Sequence, residues 1–579
     1  LEFRRVLFRS YHRIIYNWHV DKILKQNGGI LMEAGAALVE AITDAGIDVA
    51  FTVPGESFLP ALEAMRTNKD KIRVISVRQE GGGSLAAHGF GQLTGRPAAV
   101  FVSRGPGATN ASIGLHAAYQ DSIPLVMFVG HVRSHMIGRE AFQEIDHRTT
   151  FESMSKAVFI PSTPKEMVAM AKEAIDLSMD KRPGPVVVVM PRDFGDAKVD
   201  GSANNKIQNL QPELSKETQH QCDQLADTLK KSKTPLIIAG ELARQKENRN
   251  ALKEFAHKLG APVLAAYRCQ DVIDNHDKHY AGHLEINHVS YQEQLIKDAD
   301  FIVVAGSRLD GITSREETII NDDAWAHIYN DETVLERFDA RFKLKASVSS
   351  ALYYLTEKLN EPRQDNLAWR DQAHKSFNNF SAPGSYPVSG NVDMSLIADQ
   401  ARKLLPDNAI IITDGGSYAR WIHRFFKFKA PLTQGGSASG AMGAAVPGSI
   451  GAFLATNDKR PVIAFCGDGG FMMTGQELST AVRENIPVKI IVCDNNVHGS
   501  IIKGQLDKYG AANAFATVMG SPDFIKLAEG YGAAAWKVED TETWSNALTQ
   551  ALEHDGPALI HLKFDPKDIA PYGNEKDAV

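Results

Sequence analysis

The chain has few cysteines, no long apolar run and no excess of positive charge. Its four cysteines, Cys222, Cys269, Cys466 and Cys493, show no paired spacing of the kind that holds a metal. Cys466 and Cys493 end predicted core strands, so buried reduced thiols and a cytoplasmic location are expected. An apolar run of roughly 18 residues, enough to cross a bilayer, is missing, and no transmembrane helix is expected. The formal net charge of −7 argues against nucleic acid as the main partner, although a local basic patch stays open. The middle of the chain has no Gly-x-Gly-x-x-Gly after a strand, so it lacks the usual dinucleotide fingerprint.

What is present is ordinary for a globular protein, with 43% hydrophobic and 23% charged residues. At 579 residues the chain is too long for one core. Residues 1–30 read unlike the rest. Arg4, Arg5, Arg9 and Arg13 stand among bulky apolar residues, and position 1 is not Met. The segment is expected to be a non-native or disordered leader, a read-through or adapter scar, with Met32 near the true start. The alternative is an amphipathic targeting segment.

Short β-rich apolar runs spaced by helical patterns predict an α/β protein of three doubly wound parallel-sheet domains. The first covers 31–198, with strands expected around Val49–Val53, Val74–Val77, Ala98–Val102, Leu125–Val129 and Val186–Met190. A polar linker is expected over 200–218. The second domain covers 219–359, with strands at Pro235–Ala239, Pro262–Ala265 and Phe301–Ala305. A second polar stretch, 360–387, precedes the third domain, 388–579, whose tail after Asp565 is expected to be partly mobile. The first and third domains look like related folds, but their sequences are too different to prove duplication.

The most informative stretch is in the third domain. A buried strand runs Pro461 to Cys466 into Gly467-Asp468-Gly469-Gly470, then a helix, a second strand to Cys493, and the polar turn Asp494-Asn495-Asn496. Both turns fall at carboxyl ends of strands, where open α/β sheets place ligands. A carboxylate and a carboxamide there are hard oxygen ligands, and the glycine amides at a helix start suit a diphosphate. Asp468, Asn495 and a backbone carbonyl near Val497 are the metal-ligand candidates. Upstream, Thr413-Asp-Gly-Gly-Ser-Tyr418 is a second strand-to-glycine turn. Gly435 to Gly443 is rich in small residues, with Met442 the one bulky member, placed as an apolar prop under a heterocycle or as a core methionine. In the first domain Glu80 stands where a strand ends and a small-residue helix begins. Such a carboxylate is also a common helix cap.

With Val53-Pro-Gly-Glu56, Arg78-Gln-Glu80, Arg104-Gly-Pro-Gly-Ala-Thr-Asn110, Ala141-Phe-Gln-Glu144, Arg182-Pro-Gly-Pro-Val186 and Met442-Gly-Ala-Ala-Val-Pro447, the combination resembles the thiamine-diphosphate-dependent enzymes of the acetolactate synthase and pyruvate decarboxylase group, over about residues 31–570. The resemblance implies a pyrimidine-binding, a central Rossmann-like and a diphosphate-binding domain. Asp468, Asn495 and the Val497 carbonyl would hold Mg²⁺, with Asn496 the fallback ligand. Gly416, Ser417, Tyr418, Gly467, Gly469 and Gly470 would lie along the diphosphate. Met442 would bend the cofactor, and the Gly440 carbonyl would accept from its 4′-amino group. Glu80 would hydrogen-bond the pyrimidine N1′ and favour its protonation. Phe142 and Gln143 would line the substrate end. Glu80 would come from one subunit and the metal turn from its neighbour, giving a homo-oligomer with sites at the dimer interface.

The chain also departs from that family. Acetolactate synthases carry Gln and His where Ser417 and Tyr418 stand, a Trp where Gly504 stands, and Gly where Glu56 stands. Decarboxylases of the group have an acidic residue at the last place as a proton relay, and Glu56 with His131 or His498 could act likewise. Its bland reading is a helix-start carboxylate. The expected activity is decarboxylation of a 2-oxo acid, pyruvate first, with carboligation to an acceptor. The alternatives are a non-carboligating decarboxylase, a C–C lyase or hydrolase, and a cofactor-binding protein with lapsed catalysis. The central domain could hold FAD as relatives do, and the reading leans against it. The substrate pocket is expected from Glu56, Phe142, His498, Ile501 and Gln505. Neither nucleic acid nor membrane is expected as a partner.

Overall fold

The computed structural model describes residues 31–200, 214–286, 289–320, 324–359, 362–456, 460–510 and 514–571. The expected leader, 1–30, lies outside them. Three six-stranded sheets, parallel throughout, form three α/β domains. In the N-terminal sheet the strands are β1 (Val49–Thr52), β2 (Arg73–Ser76), β3 (Ala98–Ser103), β4 (Leu125–His131), β5 (Ala157–Phe159) and β6 (Pro185–Pro191), ordered β2-β1-β3-β4-β6-β5. The central sheet has β7 (Pro235–Ala239), β8 (Val263–Ala265), β9 (Tyr280–His283), β10 (Phe301–Ala305), β11 (Trp325–Tyr329) and β12 (Phe342–Lys345), ordered β9-β8-β7-β10-β11-β12. The C-terminal sheet has β13 (Ile410–Thr413), β14 (Gln434–Gly435), β15 (Val462–Gly467), β16 (Lys489–Asp494), β17 (Ala534–Val538) and β18 (Ala558–Lys563), ordered β14-β13-β15-β16-β18-β17. The first and third sheets therefore share one strand order, the kinship that sequence alone could not establish. The central order is that of dinucleotide-binding folds.

The inner strands, β4, β6 and β16 among them, are buried on both faces, as parallel sheets require, and this is why they read as unbroken apolar runs. The N- and C-terminal domains pack through two small-residue helices, Glu80–Thr94 and Ala445–Leu454. A Cβ at Gly89 would stand 2.9 Å from the Gly448 Cα, so glycine is what lets these helices touch. One core cluster runs through this contact, from Phe51 and Val100 to Val446, Ile450 and Ala464. All four cysteines are buried free thiols, and burial pushes Cys222 up to about 12.

Two segments at the borders of the third domain carry ordered structure, while most of the linker expected over 200–218 and the tail after residue 571 lie outside the described residues. The polar stretch 360–387 carries the helix Leu367–Phe380. Its Ala373, Phe377 and Phe380 are buried, and Trp369 Nε1 donates to the Pro235 carbonyl at 2.9 Å. The apolar spacing was there, diluted by charged neighbours. The tail after Asp565 is docked as far as Pro571. The Asp568 carboxylate accepts from Ser389 N at 2.8 Å and Gly390 N at 3.1 Å, and Trp421 Nε1 donates to its carbonyl at 3.2 Å.

Candidate active site

The C-terminal switch point lies between β13 and β15, where chain connections leave in opposite directions. Three turns converge there. β15 runs into Gly467, and Asp468 opens the helix Asp468–Thr474. Asp468 is 5% exposed. Its Oδ1 accepts the Gly469 amide at 2.9 Å, and its Oδ2 accepts from Ser521 Oγ at 3.1 Å. Ser521 Oγ also reaches Asp494 Oδ1 at 2.8 Å, and Asp494 Oδ2 meets His561 Nε2 at 2.8 Å. Burial, with the Asp494 charge behind it, pushes Asp468 up to about 6 against the pull of the Gly469 amide. Asp494 is also buried, yet hydrogen bonds from His561 and Ser521 hold it below the usual carboxylate range. Two nearby carboxylates in a dry turn favour a cation, and their oxygens are the donors that Mg²⁺ takes.

Asn495 is buried, and its Oδ1 lies 3.4 Å from the Val497 amide. Asn496 is exposed with φ +61°, and its Oδ1 accepts the Ser521 amide at 3.0 Å. That commitment leaves Asn495 as the inward carboxamide of the pair. Val497 bridges Val518 across the turn, and His498 N donates to the Thr517 carbonyl at 2.8 Å. Asp494, Ser521 and His561 were not anticipated. Asp494 stood inside the quoted motif, whereas Ser521 and His561 are distant in sequence and carry no local signal.

The second turn follows β13. Asp414 is fully buried, and burial pushes it up to about 6. Its Oδ1 accepts from the Tyr418 hydroxyl at 2.5 Å and its Oδ2 from the Gly443 amide at 2.9 Å. The Tyr418 hydroxyl also lies 2.7 Å from the Phe465 carbonyl. The buried Tyr418 side chain thus braces the turn. Gly416 is exposed at the tip, while Ser417 is buried. The third piece is the strap after β14. Gly440 is exposed with φ +70°, which favours glycine. Met442 is half-buried. A Cβ on Gly469 would come 3.2 Å from Met442 Cε and 3.3 Å from His498 Cε1, so Gly469 is the floor of a cradle that a larger residue would fill. A Cβ on Gly467 would meet the Tyr418 ring at 3.3 Å, and one on Gly470 would run into the Asp414 carboxylate. The hard oxygen donors, exposed glycine backbone and apolar Met442 together fit a Mg²⁺–diphosphate group with a ring above it.

The central domain holds this strap from outside. Asp271 is fully buried and takes Arg244 Nε at 2.7 Å, Arg244 Nη2 at 3.0 Å, Thr433 N at 2.9 Å and Gln434 N at 3.1 Å. Arg268 Nη2 donates to the Asp414 carbonyl at 2.8 Å.

In the N-terminal domain Glu80 opens the helix Glu80–Thr94 and is half-buried. Asn110 Nδ2 donates to its Oε2 at 2.9 Å, and its Oε1 would stand 3.1 Å from a Cβ on Gly107. The glycine-rich start of the next helix, Arg104–Asp121, is therefore what makes room for this carboxylate. The preceding Arg78 and Gln79 amides donate to Glu477 at 3.0 and 3.1 Å. Glu477 lies just beyond the Asp468 helix, so the turn before Glu80 is tied to the C-terminal domain. Gln143 is exposed with φ +66°, and its carbonyl accepts the Gly105 amide at 2.9 Å. Arg104 lies over the Phe142 ring at 5.8 Å. Glu56 is exposed at the start of the short helix Glu56–Phe58. Its neighbour Ser57 packs on Gly130 beside His131 (a Cβ there would stand 2.8 Å from Ser57 Cβ), which puts Glu56's segment against that of His131. Gln505 belongs less to the pocket than expected, since its amide is committed to both backbone groups of Phe515 at 3.0 Å. Gly504 has nothing within 4 Å of a Cβ placed on it.

The central switch point between β7 and β10 opens on a cavity of about 1300 Å³ lined by Glu241, Arg308 and Asn330 among others. Glu241 fills the turn there. It accepts the Arg308 amide at 3.1 Å and the Tyr329 hydroxyl at 3.0 Å, and burial pushes it up.

Comparison with known proteins gives the family of the chain. Three family models match in order: thiamine pyrophosphate enzyme, N-terminal TPP binding domain, over residues 32–150; the central domain over 222–355; and the C-terminal TPP binding domain over 414–562. The acetolactate synthase large subunit of Lactococcus lactis subsp. lactis (strain IL1403) is 30% identical over 539 residues, covering 91% of this chain and 92% of the relative. The probable acetolactate synthase large subunit of Methanococcus aeolicus is 28% identical over 564 residues, 92% of each chain. The acetolactate synthase isozyme 2 large subunit of Escherichia coli (strain K12) is 26% identical over 544 residues, 92% of this chain and 96% of the relative. The chain belongs to the thiamine-diphosphate-dependent enzymes and is acetolactate synthase-like. No helix among the described residues is long and apolar enough to cross a membrane.

Proposed function

We propose that the chain decarboxylates a 2-oxo acid, pyruvate first, and joins the remaining two-carbon unit to an acceptor carbonyl. The observation that supports this most is the buried Asp468 beside Asn495 and the Val497 carbonyl, at the ends of adjacent strands and above a glycine floor. Those three groups are read as the Mg²⁺ ligands. The backbone of Gly416, Ser417, Tyr418, Gly467, Gly469 and Gly470 is read as the diphosphate bed. Thiamine diphosphate, when bound, supplies a nucleophilic carbon and an electron sink for CO₂ loss. Glu80, positioned by Asn110, holds the proton on the pyrimidine ring. Met442 and the Gly440 carbonyl set the cofactor's orientation. Gln143 and Phe142 close the substrate end.

The active unit is read as a homodimer in the cytoplasm. The reading follows the family resemblance, in which Glu80 and the metal turn come from different subunits, and Phe142 is 76% exposed in the single chain. The central crevice is read as free of FAD, on the Glu241 placement. A second reading, a decarboxylase that releases aldehyde, is favoured by Glu56, whose segment lies against that of His131, and by Gly504 in place of a bulky acceptor-side residue. Product NMR on purified protein with thiamine diphosphate, Mg²⁺ and pyruvate tests both. Acetolactate or acetoin supports carboligation, acetaldehyde alone moves the assignment to the second reading, and no consumption by any of a panel of 2-oxo acids overturns both.

A further inference from the structure

His131 ends β4, and its Nδ1 lies 3.0 Å from Nε2 of His147. Both rings are buried, at 3% and 2% exposure. The other His147 nitrogen, Nδ1, is buried with no hydrogen-bond partner. We propose that His147 is a positioning residue that holds His131 as a neutral imidazole with its proton on Nε2, a hydrogen-bond donor to the substrate oxygen rather than a base. This rests on the reading of the site given above.

The logic is one of proton placement. A proton on His147 Nδ1 would sit in a dry pocket with nothing to receive it, so the stable tautomer carries it on Nε2. That N–H then donates to His131 Nδ1, and the His131 proton must be on Nε2. Protonating His131 fully would turn Nδ1 into a donor and force the His147 proton onto its partnerless nitrogen. His147 is stacked on Phe151, and its short helix is capped by Asp146, so the ring is held in place. The charged groups facing the pair are Arg104, which opposes a second positive charge, and Glu144 and Asp146, which favour one. Burial outweighs all three, lowering His131 and taking His147 down to about 3. The Glu144 carboxylate is committed to the Gly138 and Ala141 amides at 2.6 and 2.9 Å. His131 Nε2 is not engaged by the pair, and an N–H there, with the Arg104 charge acting on the ring, suits the carbonyl or carboxylate oxygen of a 2-oxo acid. Proton movement then falls to Glu56.

The test is nitrogen-15 NMR of histidine-labelled full-length protein, with the His131 signals assigned by a His131→Asn variant. Wild type is expected to show His131 protonated on Nε2 alone at neutral pH, titrating below the ordinary histidine range. In His147→Phe the tautomers should mix and the His131 titration should rise, with kcat/KM falling roughly 10–100-fold, as when a histidine loses its orienting partner. His147→Gln, whose amide can still donate, should recover the Nε2 tautomer and most of kcat/KM. A wild-type proton on Nδ1, or an unchanged tautomer in His147→Phe, overturns the proposal. The tautomer is read on the free protein, so a wrong substrate assignment would leave that result standing.

Discussion

Replacing Asp271 with Ala should damage the cofactor strap from outside the active site. Asp271 binds both Arg244 nitrogens and the amides of Thr433 and Gln434, with Asp271 wholly buried and the Arg244 side chain 5% exposed. Removing one partner of such a pair leaves an uncompensated buried charge, costing about 3–5 kcal/mol. Each orphaned amide adds about 1 kcal/mol or more where water cannot reach it. The total is about 5–7 kcal/mol, or roughly 10–28 °C in the unfolding transition of a domain of this size. Calorimetry would read it. Gln434 leads directly into the Gly435–Met442 segment, so the half-saturating thiamine diphosphate concentration should rise as well. The paired variant Arg244→Met/Asp271→Leu should recover most of the stability, because removing both charges removes the desolvation cost with the attraction. The reasoning is refuted if Asp271→Ala melts within roughly 2 °C of wild type, or if the paired variant is no better than the single one.

Three further outcomes are expected. Wild type should gain about 2.7 kcal/mol from Mg²⁺ and thiamine diphosphate at a hundredfold excess over Kd, and Asp468→Ala should gain almost nothing at those concentrations. A variant that keeps the full thermal shift would remove Asp468 from the ligand set. Gly469→Ala should fold normally yet bind the cofactor at least about tenfold more weakly, because its Cβ enters the space beside Met442 and His498; unchanged affinity in a titration would show that the cradle lies elsewhere. Burial holds His147 down to about 3 and His279, His283 and His327 down to about 4. Unfolding lets each take a proton below its ordinary value, so stability should be full above about pH 6.5 and fall toward pH 4, by about 1.4 kcal/mol per pH unit per histidine. A melting temperature that stays flat from pH 7 to 5 would contradict this.

Much of the fold was legible because parallel strands buried on both faces are uninterrupted apolar runs. Val186–Met190 and Val488–Cys493 could be read directly for that reason. Short edge strands were missed: β5, β9, β12 and β14 have two to four residues each, too few for periodicity to register. The helix Leu367–Phe380 was missed because its three buried residues are outnumbered by charged and polar ones. In the candidate site, turns at strand ends singled out Asp468, Asn495 and Glu80. What sequence could not give was partnership across distance. Ser521 and His561 join the Asp468–Asp494 pair from 27 and 67 residues beyond Asp494, and His147 reaches His131 across a loop. Tyr418 was read as lying along the diphosphate, and its hydroxyl contacts to Asp414 and the Phe465 carbonyl are partnerships that sequence does not show.

The most direct test of the central claim is ¹³CO₂ release from [1-¹³C]pyruvate by wild type, Glu80→Gln and Asp468→Ala, each with and without thiamine diphosphate and Mg²⁺. Wild type is expected to release labelled CO₂ only with both added. Glu80→Gln should be slower by roughly 10²–10⁴-fold, and Asp468→Ala should be silent at cofactor levels that saturate wild type. Release that is indifferent to Glu80 or to the cofactors would contradict the account.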